Sequence, residues 1–212
     1  MTGTRAGARV GDAPHDTLGP PRRGSALSRA LAARVLRLAG WRIEGGLPPH
    51  AKFVAVLAPH TSNWDFIFCI LSMWALGLRL TWLAKHTLFR PPLGALLRWL
   101  GGEPVDRRAG GGAVFVAVEC FRTRAQYALG ITPEGTRRRV EEWKTGFHRI
   151  ARAAGVPVVP VWFDYPNRVV GIGEPAWMTE DVESDVARLR ALFRKEMARH
   201  PEQFAEAKGP RH

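Results

Sequence analysis

Six consecutive apolar residues, Phe53 to Ala58, run into Pro59. A short apolar run without polar interruption reads as a buried strand, and the proline ends it. His60 therefore stands at the strand's carboxyl end. Thr61, Ser62 and Asn63 follow as good capping residues for a helix from about Trp64 to Leu76. In open α/β sheets, ligands gather beyond the carboxyl ends of strands. The turn after Pro59 is thus where a functional group is expected.

The rest of the chain repeats this alternation. Phe66 to Ala84 is mostly apolar and long enough to imitate a membrane span, but Arg79 interrupts it. An arginine near a bilayer centre costs about 2.5–3.5 kcal/mol. A span here would also separate His60 and Asp65 from Lys85, Arg107 and Glu134 across the membrane. The segment is read instead as a buried helix, a turn at Gly77 and a strand over Leu80 to Ala84. Pro91-Pro92 opens a helix to about Leu100, and Gly101-Gly102 stops it. Val105 is extended. Ala113 to Arg124 is open between helix and strand, and Val114, Val118 and Phe121 fit the helical period. Tyr127 to Thr132 reads as a strand, and Lys144 to Ala154 as a helix closed by Gly155. Val156 to Phe163 is β-branched with internal prolines, which points to a strand near a sheet edge; Arg168 to Ile172 is its candidate partner. A last helix over 180–200 keeps Val182, Val186, Leu189, Phe193 and Met197 on one face. Acidic residues lie at its start and basic ones at its end, as the helix dipole favours.

Strands alternating with helices imply an α/β fold, a single-domain layered sheet flanked by helices. The expected domain covers 26–205, with a catalytic core over 50–175. Residues 1–25, rich in Gly, Pro and Arg and without an apolar run, read as a disordered basic tail without a signal peptide. A helix over 26–39 follows, capped by Ser25 or Ser28 and ended by Gly40. Leu27, Leu31, Val35 and Leu38 form its apolar stripe, Arg34 falls within the stripe, and Arg29 and Arg37 lie on the far side. Such a basic amphipathic helix either lies in a membrane interface or packs on the domain with a solvated basic face.

The net charge is +12. A surface that basic seeks polyanions: nucleic acid, anionic lipid headgroups or an acidic carrier protein. Nucleic acid is disfavoured, because no helix-turn-helix, zinc-finger or RNA-recognition signature is present. The 8 Trp residues, together with Arg, fit a membrane surface, although Trp64, Trp74 and Trp162 are read as core. Cys69 and Cys120 lack metal-ligand spacing and read as reduced, buried thiols of a cytosolic environment.

Two motifs carry chemistry. His60 and Asp65 offer an imidazole base and a carboxylate to fix its tautomer. The alternative is a histidine at a strand end and an aspartate placed by the helix dipole. Glu134-Gly135-Thr136-Arg137 is the more specific motif, expected by chance about 0.01 times in a chain of this composition. No Gly-x-Ser-x-Gly elbow is present, and neither cysteine neighbours a histidine, so the nucleophile is expected to be the substrate's own hydroxyl. Arg107, Arg137, Lys85 and Lys144 sit at loop positions beside strand or helix ends and form a candidate anion site; each taken alone is also explained as a surface cation. Gly135 lets backbone approach a ligand, or simply serves a turn. Glu134 either binds a substrate hydroxyl or holds Arg137 and Arg107.

The blocks His60-x4-Asp65, Lys85-His86-Thr87-Leu88-Phe89, Gly102-Glu103-Pro104-Val105-Asp106-Arg107, Thr132-Pro133-Glu134-Gly135-Thr136-Arg137 and Val156-Pro157-Val158-Val159-Pro160 resemble the pattern of the glycerophospholipid acyltransferases. More narrowly they look like those of the bacterial 1-acylglycerol-3-phosphate acyltransferases. The resemblance implies a glycerol-3-phosphate acyltransferase-like fold, with His60 as general base and Asp65 as its partner. Arg107 and Glu134, Gly135, Thr136 and Arg137 would bind the acceptor's glycerol phosphate. The donor would be acyl-CoA or acyl-ACP as co-substrate, with no other cofactor. The acceptor would be a lysophospholipid, 1-acylglycerol-3-phosphate foremost, at an anionic membrane surface on the cytoplasmic side, with peripheral or monotopic attachment. A different lyso-lipid acceptor, or a non-catalytic basic lipid-binding protein, is the alternative.

Overall fold

The computed structural model describes residues 18–105 and 112–205. Its helices are α1 (Ala26–Leu38), α2 (Asn63–Leu76), α3 (Leu93–Trp99), α4 (Gly112–Thr123), α5 (Gly146–Ala154) and α6 (Val182–Arg190). Its strands are β1 (Arg42–Glu44), β2 (Lys52–Leu57), β3 (Leu80–Lys85), β4 (Gly102–Val105), β5 (Tyr127–Ile131), β6 (Val158–Asp164) and β7 (Val169–Ile172). They form one sheet in the order β1-β7-β6-β2-β5-β3-β4. Every pairing is parallel except β6 with β7.

The unbroken apolar run of β2 has a direct cause. Successive strand side chains point to opposite faces, and here both faces are covered by helices. Val54 and Val56 join a core with Phe121 of α4 and Phe147 and Ile150 of α5. Phe53, Ala55 and Leu57 join a second core with Phe68, Ile70 and Met73 of α2 and Leu36 of α1. Ala113 to Arg124 resolves as helix, α4, whose Ala117 and Phe121 are buried.

Several expectations are corrected. Residues 18–25 are held on the domain rather than disordered: Arg79 N–H donates to the Pro21 carbonyl, Arg23 N–H to the Gly77 carbonyl, and Gln126 Nε2 to the carbonyls of Leu18 and Gly19. The remainder of the expected tail, 1–17, lies outside the described residues. The α1 helix, capped by Ser25, buries Ala32 and Leu36 against α2. Its apolar stripe instead faces outward, with Leu27 and Leu38 each 79% exposed. Arg29, expected on the far side, lies against the backbone of Gly77.

The β6 strand is interior, not near an edge. Val54 and Ala58 N–H groups donate to the carbonyls of Pro157 and Val161. Alternate positions therefore face the other neighbour, where Pro160 accepts from Gly173 and Val158 exchanges bonds with Ala176. Pro160 forfeits a donor only where the partner is a loop just past β7, so the ladder to β2 stays whole. The last helix stops at Arg190, well short of residue 200. Phe193 packs on the Trp143 ring at 5.5 Å, and Phe204 and Ala205 are buried. That packing folds the chain back through short turns at Lys195–Met197 and Pro201–Gln203. Trp64 is 47% exposed rather than core, while Trp74 and Trp162 are half-buried. Among the described residues no helix is long and apolar enough to cross a membrane.

Candidate active site

Three neighbouring strands, β5, β2 and β6, run parallel, so their following loops emerge at one edge. They bring Glu134 to His60 across 74 residues of sequence and Tyr165 to Asp65 across 100. The β2 loop turns directly into α2. Ser62 caps that helix by accepting from Trp64 N–H, and Asp65 reaches back to accept from the N–H groups of Ser62 and Thr61, both at 2.9 Å. This capping box is what curls Asp65 beneath His60. Asp65 Oδ2 lies 3.3 Å from His60 Nδ1, and Asp65 is 1% exposed. The carboxylate thus faces the Nδ1 side of the imidazole rather than Nε2.

Of the roles expected of Glu134, holding Arg137 is not seen among the described residues; its contact is with the turn after β2. Its Oε2 accepts the backbone N–H of His60 at 2.8 Å, and its buried Oε1 has no partner. No ion pair joins it to Arg137 among the described residues. Burial pushes its carboxyl up to about 8, although the His60 N–H opposes the rise. Glu134 therefore fixes the backbone from which the His60 imidazole projects.

A cavity of about 440 Å³ opens beside His60. Its polar wall includes His60, Asp65, Thr132, Gly135, Arg137 and Lys144, and its apolar wall Phe66, Cys69, Ile70 and Met73 of α2 with Leu80 and Leu83 of β3. Gly130, in the middle of β5, deepens it: a side chain there would come within 3.0 Å of Leu80. Gly135 is held at a φ of +67°, where a side chain would also run into Lys144. Lys144 in turn is fixed by its N–H bond to the Pro133 carbonyl. So the turn after β5 and the start of α5 present Arg137 and Lys144 to the same space as His60. Thr136 sits beside that wall, its hydroxyl accepting from Arg138 N–H at 3.3 Å. Lys85 does not join it; exposed at the end of β3 and paired across to Val105, it does not line the cavity. Arg107 lies outside the described residues.

Cys69 borders the cavity, but burial and the nearby Asp65 push its thiol up to about 12, so it is a poor nucleophile. Sequence reasoning missed Tyr165 altogether. Its hydroxyl donates to Asp65 Oδ1 at 2.6 Å, and nothing local in Asp164-Tyr165-Pro166 announces that contact.

No curated protein matches the chain. Among solved structures, the 1-acyl-sn-glycerophosphate acyltransferase PlsC from Thermotoga maritima shares the fold, at 23% sequence identity and a TM-score of 0.55, with 76% of each chain covered. The family model described as Acyltransferase matches residues 45–164, which span β2 to the end of β6 and include His60, Asp65 and the Glu134 turn. The chain belongs to the acyltransferase family.

Proposed function

We propose that this acyltransferase moves a fatty acyl group from acyl-CoA or acyl-ACP to the free hydroxyl of a lysophospholipid, foremost 1-acylglycerol-3-phosphate, at an anionic membrane surface on the cytoplasmic side. One observation carries the reading: an imidazole oriented by a buried carboxylate shares a single cavity with Arg137, Lys144 and a long apolar wall. His60 Nε2 takes the acceptor's hydroxyl proton as its oxygen attacks the thioester carbonyl. The C–O bond forms, the C–S bond breaks, and the departing thiolate recovers the proton. Arg137 and Lys144 suit the acceptor's phosphate, and the apolar wall suits an acyl chain. The Thermotoga maritima protein is named for this acceptor, which supports the choice.

Surface chemistry supports the membrane. Leu27, Leu31, Val35 and Leu38 point outward from α1 beside exposed Arg34 and Arg37, an apolar stripe edged by cations as interfacial helices require.

The test is an acceptor panel with one acyl thioester, reading free thiol and the mass of the lipid product. Lysophosphatidic acid is expected to be converted to phosphatidic acid, and His60→Ala to lose about 10²–10⁴ in rate. Thiol release that ignores the acceptor would instead mark a hydrolase, and full activity in His60→Ala would remove the base.

A further inference from the structure

We propose that Tyr165 is a positioning residue for the base: its hydroxyl shares the Asp65 carboxylate with His60 and tempers the pull of that carboxylate on the imidazole. The inference rests on reading His60 as the base.

The two oxygens of Asp65 are divided. Oδ2 serves the His60 side, accepting from Thr61 and Ser62 N–H and lying 3.3 Å from Nδ1. Oδ1 is given to Tyr165 at 2.6 Å, the short length of a charge-assisted bond. The phenol is not free to leave. Its ring meets Trp41 edge-on at 5.1 Å and Phe68 at 6.1 Å. Its backbone N–H donates to the Met197 carbonyl, and Arg199 lies over the ring at 5.8 Å. Tyr165 is the first residue past β6, so the strand beside β2 sets its position.

Other charged or titratable groups surround the base. Glu134 holds its backbone, Cys69 faces Asp65 from α2, Arg199 covers Tyr165, and Arg137 and Lys144 stand on the cavity wall. Among the described residues Asp65 alone lies within ion-pair distance of the ring. What alters the carboxylate therefore reaches the imidazole. With one donor removed, the carboxylate's charge is less dispersed and favours the imidazolium more strongly.

The test is Tyr165→Phe, which keeps the ring packing and deletes the hydroxyl. The His60 ring is titrated by NMR, its signal assigned with His60→Ala, so no substrate is needed. Its midpoint is expected to rise by about 0.5–1 unit relative to wild type, and the acidic limb of kcat/KM to move by a similar amount. The plateau kcat should fall about 3–10-fold, with donor and acceptor KM unchanged. Tyr165→Leu, which also removes the ring, should add a loss in melting temperature. A Phe variant that melts early but leaves the His60 midpoint and the acidic limb in place overturns the inference and leaves Tyr165 a packing residue. If the ring shift is seen while wild type acylates nothing in the panel, the proposed acceptor fails and the positioning role stands.

Discussion

Glu134 shows how one buried carboxyl ties stability to pH. It is 5% exposed, and burial raises its carboxyl from 4.5 to about 8. Between those values the folded chain keeps a proton that the unfolded chain has lost. Stability from this group is therefore full below about pH 4.5 and declines as pH rises toward 8. Glu134→Gln removes the titration but keeps an oxygen able to accept the His60 N–H. Denaturant melts at pH 5 and pH 8 should show a smaller loss of stability across that interval in the variant than in wild type. Equal losses in the two proteins would mean that Glu134 ionises like an exposed carboxyl. The site residues were unequally legible. His60 and Asp65 are close in sequence and joined by a local cap, so their pairing could be anticipated. Tyr165 lies 100 residues from Asp65, and only the adjacency of β2 and β6 brings them together.

Helix α1 shows that an apolar stripe need not be the face that packs. Ala32 and Leu36 dock on α2, and the four apolar residues of the stripe are left outside. In the free protein Leu31 and Leu38 are 61% and 79% exposed. Replacing both with Glu should leave the fold within about 0.5 kcal/mol of wild type. Removing two leucines from a bilayer interface, each worth about 1.5–3 kcal/mol when fully buried, should weaken vesicle binding by tenfold or more. Co-sedimentation with lipid vesicles, checked against thermal melts, decides it; unchanged sedimentation would show that another face meets the lipid. Helix α6 teaches a related lesson. Its periodicity runs on past Arg190, yet Phe193 and Phe204 find better burial over Trp143 and the core by breaking the helix.

The molecule as a whole carries 31 Lys and Arg against 19 Asp and Glu. Cations near an anionic surface contribute about 1 kcal/mol each, and salt screens that attraction. Binding to vesicles containing anionic lipid should therefore fall at least tenfold between about 0.05 and 0.5 M NaCl. Binding to zwitterionic vesicles should be weaker and should change little with salt. Identical salt curves on the two lipids would exclude a role for the net charge in attachment.

The chain's local chemistry determined its elements. An unbroken apolar strand required cover on both faces, Ser62 and Asp65 wrote their own helix cap, and Gly135 marked a turn that only a residue without a side chain can make beside Lys144. These features depend on neighbours a few residues apart, or on whether a side chain is wet or dry. Strand order is another matter. Which strand flanks β2 is settled by how the sheet closes its two cores, and that placed Pro160 inside the sheet, set Glu134 on the His60 backbone and delivered Tyr165 to Asp65. Contacts across such distances depend on packing free energy summed over the whole fold, and no short stretch of sequence contains that sum.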